Sequence, residues 1–171
     1  MNRTSKCLYL LRHAKSDWDD PTVADIDRPL APRGRKAARA MGRYLKSSGT
    51  KPELVLCSPA RRTRETLKLM AEAGAVMPKV KFKDWLYAAS ASTILAHVEV
   101  LPSKVGSAML IGHNPGLEEL ATSLAGRGAD LSRLREKYPT GALAALRIPG
   151  WGELEPGCAE LVSFVVPREL I

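Results

Sequence analysis

Two of the three histidines, His13 and His113, stand directly behind short apolar runs, Leu8-Tyr9-Leu10-Leu11 ahead of Arg12 and Ala108-Met109-Leu110-Ile111 ahead of Gly112. If both runs are strands of one parallel sheet, both imidazoles emerge at the same sheet edge despite their separation along the chain. His113 lies in Gly112-His113-Asn114-Pro115-Gly116, a helix start. A third strand-to-helix junction, Ser58-Pro59-Ala60-Arg61-Arg62-Thr63-Arg64, places three arginines within two turns. Free N–H groups and partial positive charge make each helix N-terminus an anion site. Arginine adds a planar donor fork matched to phosphate oxygens and keeps its charge in any plausible pocket. Histidines and arginines converging in this way describe a phosphate cage.

The elements that must position these groups follow from periodicity. Lys6–Leu11 is a short apolar run without helical period, and polar Asp- and Pro-rich sequence follows it through Pro32. Within Gly34–Ser48, Ala37, Ala40, Met41, Tyr44 and Leu45 recur at helical spacing, leaving Arg35, Lys36, Arg39, Arg43 and Lys46 on a solvated face. Glu53–Cys57 reads as a second strand, and Ser58-Pro59 as N-cap and first helical proline of a helix to about Ala73. Lys79–Phe82 is a predicted strand, Ser92–Leu101 a helix and Ala108–Ile111 a strand. Asn114-Pro115 repeats the cap signature before a helix carrying Leu117, Leu120, Ala121 and Leu124. Ala142–Ile148 and Glu160–Val166, separated by Pro149-Gly150-Trp151-Gly152, form a predicted antiparallel pair. This order predicts an α/β three-layer sandwich in one domain, residues 1–171, with a mostly parallel central sheet, helices on both faces and an antiparallel closing strand pair. Ligands of such sheets sit beyond the carboxyl ends of strands.

The chain's 171 residues, 45% hydrophobic and 26% charged, suffice for a full core without disulfides or structural metal. The early apolar stretch stops at Arg12, too short for a signal peptide or a membrane span, so a cytoplasmic protein with no membrane partner is expected. Cys7, Cys57 and Cys158 form no C-x-x-C pair and read as small buried hydrophobes. The net charge of +8 is concentrated: residues 1–85 carry 19 Lys/Arg against 9 Asp/Glu, the remainder 7 against 9. The first half wants an anion.

Leu8-Tyr9-Leu10-Leu11-Arg12-His13-Ala14-Lys15-Ser16 resembles the Arg-His-Gly signature of the histidine phosphatase (phosphoglycerate mutase-like) superfamily. Asp27-Arg28-Pro29-Leu30 with Pro32-Arg33-Gly34, Ser58-Pro59 with Arg62 and Thr66, and Ile111-Gly112-His113-Asn114-Pro115-Gly116 follow in order and resemble the short SixA-type phosphohistidine phosphatase branch. Pro139-Thr140-Gly141-Ala142 and Val166-Pro167-Arg168 also fit, so the resemblance spans nearly the whole chain. It implies that His13 is the nucleophile and that Arg12, Arg62 and His113 hold the equatorial oxygens. Arg62 is preferred because it falls four residues after Ser58, as in the family block; Arg61 and Arg64 are expected to be solvated or paired with Glu65 or Glu72. Asp84, in Lys83-Asp84-Trp85-Leu86-Tyr87, looks aligned with the acidic residue of longer members and is the expected general acid, with Asp17 competing. Asp19 and Asn114 are expected to line the substrate. A neutral imidazole near its ordinary pKa of about 6.5 is an adequate nucleophile, and covalent transfer splits hydrolysis into two displacements. Ala14 in place of the usual glycine, Lys15 in place of a common Glu, and Asp19 where sugar-phosphate mutases often carry Asn weaken a mutase reading.

No cofactor and no metal is expected. Asp17, Asp19, Asp20, Asp25 and Asp27 crowd one loop, but Thr22 and Arg28 occupy the sixth and twelfth positions of an EF-hand counted from Asp17. The loop is expected instead to pair with Arg28, Arg33 and Arg35 at the site entrance. No H-x-H or H-E-x-x-H occurs, and His97 reads as a packing residue. A nucleic-acid-binding module fits the basic charge, yet nine aromatic residues and no RRM, KH or helix-turn-helix signature argue against that partner. The expected substrate is a phosphorylated protein carrying phosphohistidine, such as a phosphotransfer protein. The alternative is a small phosphorylated metabolite handled by a phosphomonoesterase or mutase of the same superfamily. So short a chain leaves little for lids, which favours an open, protein-accessible site.

Overall fold

The computed structural model describes residues 4–171. Strand β1 (Lys6–Arg12) leads into helix α1 (Pro32–Ser47), β2 (Leu54–Cys57) into α2 (Arg61–Glu72), and β3 (Val80–Phe82) into α3 (Ala91–Glu99). Next come β4 (Ser107–Gly112), α4 (Gly116–Leu124), β5 (Ala125–Arg127), α5 (Leu131–Glu136), β6 (Leu143–Ile148) and β7 (Ala159–Val165). One seven-stranded mixed sheet has the order β3-β2-β4-β1-β6-β7-β5. β3, β2, β4 and β1 run parallel, β6 pairs antiparallel with both β1 and β7, and β5 returns parallel to β7. The mostly parallel sheet and its antiparallel pair agree with the expected architecture.

The strands near the site are apolar runs because both faces are covered. Leu8 and Leu10, Leu54 and Leu56, and Ala108 and Leu110 pack on one face in a core that includes Ile94 and Val98 of α3 and Leu117, Leu120 and Leu124 of α4. Leu11, Val55, Cys57, Met109 and Ile111 face the opposite way, against Met41 and Leu45 of α1 and Leu67 and Met70 of α2. Cys57 is buried, as expected, and burial pushes its thiol up to about 12; Cys7 and Cys158 are only partly covered.

Three local expectations need correction. Ser58 is not the N-cap of α2: Ala60 holds that position, and Ser58 Oγ instead accepts from Ala60 N (3.3 Å) and bonds a histidine. Asn114 does not cap α4, which begins after Pro115; the 114–115 peptide is cis. β5 and α5 have no counterpart in the periodicity reading. β5 is Ala-Gly-Arg, too short to alternate, and only Leu134 of α5 is buried.

Candidate active site

β1 and β4 pair with Arg12 opposite Gly112, so the next residue on each strand, His13 and His113, must stand side by side at the carboxyl end of the sheet. Their ring centroids are 5.3 Å apart, and the His13 amide donates to the Gly112 carbonyl. Ser58 leaves β2 at the same edge, its amide on the Ile111 carbonyl, and α2 then raises Arg62 toward both rings. Thr66 ties the pieces together: its hydroxyl donates to the Arg62 carbonyl (2.7 Å) and accepts from the Ala14 amide (3.1 Å). Gly141, at φ +77°, donates its amide to the carbonyls of both Arg12 and His13. Ala14 itself is not in the left-handed region, which among the described non-glycine residues holds only Ala88.

His13 is buried, and its Nδ1 lies 2.7 Å from the Ala14 carbonyl. A carbonyl only accepts, so Nδ1 carries the proton and Nε2 keeps its lone pair. Burial, and secondarily His113, Arg62 and Arg12, push its pKa down to about 3. His13, the expected nucleophile, therefore does not sit at its ordinary pKa of about 6.5. It stays neutral far into acid, at some cost in basicity. His113 is likewise held down to about 4, first by burial and then by Arg62. The Arg62 guanidinium only donates, so His113 Nδ1 accepts from Nη2 (3.3 Å) and its Nε2–H donates to Ser58 Oγ (2.7 Å). To donate to a phosphoryl oxygen through Nδ1, His113 must gain a proton there.

Arg12 Nη1 is fixed by the Tyr138 carbonyl (2.9 Å), while its Nε is buried without a hydrogen-bond partner. Arg62 Nη1 donates to the Asp25 carbonyl (2.7 Å) and Nη2 to Asp25 Oδ2 (3.1 Å). The same Oδ2 accepts from the Tyr87 hydroxyl (2.6 Å). That bond first, and Arg62 and Arg28 after it, hold the Asp25 carboxyl below its usual range, while Asp25 pushes the Tyr87 phenol up. Arg28 lies beside Asp25 (Nε to Oδ1, 3.9 Å) with its guanidinium 4.0 Å from the Trp18 ring centroid.

The four residues Arg12, His13, Arg62 and His113 are thus brought together, and of the other expected site residues only Asn114 shares a partner with them, the Tyr138 carbonyl that also holds Arg12. Asp84 opens a short 3-10 turn after β3 and is exposed; no bond or ion pair joins its carboxylate to the cage. Asp17 Oδ1 accepts from the amide of exposed Asp19. Asn114 Nδ2 donates to Glu118 and to the Tyr138 carbonyl, and its Oδ1 is buried without a partner. The acidic loop pairs with Arg28 and Arg62, not with Arg33 or Arg35; Arg35 donates to the Leu30 carbonyl. Arg61 pairs with Glu65 (2.8 Å), Arg64 lies over the Phe82 ring, and His97 stacks on Trp85. Asp25, Tyr87, Ser58 and Tyr138 are participants that residue-type reasoning passed over. Tyr87 stands three residues after Asp84, where one 3-10 turn delivers it; a backbone carbonyl such as that of Tyr138 leaves no mark in a sequence. Among the described residues no three His, Cys, Asp or Glu side chains gather as a metal-binding group, and no helix is long and apolar enough to cross a membrane.

Residues 8–86 match the model of the histidine phosphatase superfamily, branch 1. An uncharacterised protein of Mycobacterium tuberculosis is 40% identical over 163 residues, covering 92% of this chain and 100% of that protein. Two solved structures are similar throughout. A candidate phosphohistidine phosphatase SixA from Agrobacterium tumefaciens has TM-score 0.80 and 31% identity, over 95% of this chain and 98% of that one. Another candidate SixA, from Nakamurella multipartitia, has TM-score 0.80 and 30% identity, over 95% and 96%.

Proposed function

The chain belongs to the histidine phosphatase superfamily, branch 1, and from that premise we propose that it is a phosphatase working through a phosphorylated His13, with phosphohistidine in a protein as its substrate. The observation that carries this reading is the Ala14 carbonyl on His13 Nδ1, which leaves the Nε2 lone pair free on a ring 5.3 Å from that of His113 and within electrostatic reach of Arg62 and Arg12. Nε2 attacks phosphorus, the leaving group departs with the bonding electron pair, and water then attacks the phosphoimidazole to release phosphate. Arg12 and Arg62 neutralise the three equatorial oxygens in both steps, which serves a loose or a tight transition state alike. His113 holds Arg62 in register and, once protonated, adds a donor of its own. Similarity along the full chain to two candidate SixA proteins supports a phosphoprotein over a metabolite.

His13→Ala should abolish turnover of a phosphohistidine protein, and wild-type enzyme quenched mid-turnover should carry an acid-labile phosphoryl group on His13. Exhaustive chelation should leave the rate unchanged. Full activity in His13→Ala, or complete loss on chelation, would sink the mechanism.

A further inference from the structure

The two oxygens of Asp25 are used differently. Oδ2 is anchored by the Tyr87 hydroxyl and by Arg62, whereas among the described residues Oδ1 accepts no hydrogen bond and makes only the 3.9 Å approach to Arg28 Nε. The side chain is half exposed, at the rim of the cage. A carboxylate held by two such donors, with a second arginine beside it, stays ionised and has no proton to give, so at this rim it acts as an acceptor only.

That chemistry discriminates among leaving groups. An alkoxide departing beside a carboxylate meets like charge and receives no proton. A phosphohistidine protonated on its distal ring nitrogen is instead cationic and offers an N–H. We propose that Asp25 Oδ1 accepts the distal ring N–H of the departing phosphohistidine, and so selects a protonated nitrogen leaving group. This inference rests on the reading of His13 as nucleophile and phosphohistidine as substrate. The balance is simple. The His13 Nε2 lone pair forms the new N–P bond, the substrate P–N bond breaks, and its electron pair stays on the departing nitrogen. The distal proton stays where it is, and neutral imidazole leaves. Without that proton the product would be an imidazolate, a far poorer leaving group.

The groups around Asp25 are Arg28 of its own loop, Arg62 of α2, Tyr87 behind β3 and, beyond Arg62, His113. Both cage histidines are held neutral across the range in which a phosphohistidine ring titrates.

The test compares kcat/KM of wild type and Asp25→Asn on a phosphohistidine peptide and on p-nitrophenyl phosphate, whose leaving group needs no proton. The asparagine should cost about tenfold or more on the peptide near pH 8, the range of one charge-assisted hydrogen bond, and progressively less toward about pH 5, where the distal nitrogen is protonated unaided. The aryl phosphate should lose clearly less than the peptide near pH 8, since it shares the weakened Asp25–Arg62 pair but not the lost leaving-group acceptor. Asp25→Glu, which keeps the charge, should recover part of the peptide activity. An equal loss on both substrates at every pH would make Asp25 a positioning residue for Arg62 and overturn the proposal. No loss on either would overturn it as well. Failure of the underlying reading shows elsewhere, in a wild-type enzyme that leaves the peptide intact or carries no phosphoryl group on His13.

Discussion

Arg62 donates to the Asp25 carbonyl, to its carboxylate and to His113, whereas Arg64, two residues on, lies over the Phe82 ring on the outside of the helix. Removing a preorganised donor from a developing charge costs about 10²–10³ in rate, so Arg62→Ala should lose that much on phosphohistidine and alkyl phosphate alike. Arg64→Ala should be nearly silent. In the same assays Asp84→Asn separates two leaving groups. If Asp84 serves as general acid, the alkyl phosphate slows far more than phosphohistidine, and a selective loss in Asp17→Asn would place the acid there. The reverse pattern for the two arginines would redraw the cage. At this scale the meeting of His13 and His113 was legible because each follows a strand run, whereas Arg62 was singled out among three arginines only by resemblance to the family block. Asp25 was not, because an aspartate among five in one loop gives no sign of which arginine it will meet.

Helix α1 enters its course at Pro32, and Gly34 in its first turn lies against the backbone that follows His13. A Cβ there would stand 2.0 Å from the Lys15 carbonyl oxygen, which also accepts from the Ala31 amide. Gly34→Ala should therefore lower the denaturant midpoint by roughly 1–3 kcal/mol of stability, as overpacking does, and reduce turnover by shifting the His13 loop. Gly152→Ala, with nothing within 4 Å of the added methyl, should stay within about 0.5 kcal/mol. A midpoint unchanged in Gly34→Ala would mean that α1 and the loop slide apart freely. Most strands and helices of the first two thirds were readable because they bury an apolar run or a helical stripe, although β3 buries none of its three residues. The start of α2 was misread because Ser58 has the right type for a cap, but its hydroxyl is spent on His113.

For the whole molecule, two buried neutral histidines couple folding to pH. Each has a folded pKa below the unfolded value of about 6.5, so below that pH the unfolded chain binds protons that the folded one refuses. Stability is thus intact above about pH 6.5 and falls as pH drops, by up to about 1.4 kcal/mol per pH unit for each histidine, down to about pH 4 for His113 and lower still for His13. Chemical denaturation of wild type should follow this slope, and His113→Gln should flatten it; a flat wild-type curve between pH 7 and about pH 4 would contradict the burial account. The overall α/β layering was legible from the alternation of runs. The return of β5 beside β7 was not, since three residues with only Ala125 buried are too few to show a pattern.

The clamp on His13 comes from late in the chain. Arg12 is held by the Tyr138 carbonyl, both Arg12 and His13 lean on the Gly141 amide, and β6 supplies the far neighbour of β1. Every residue of the cage precedes these supports in order of synthesis. A nascent chain therefore carries all four cage side chains before the segment that fixes their geometry has been made.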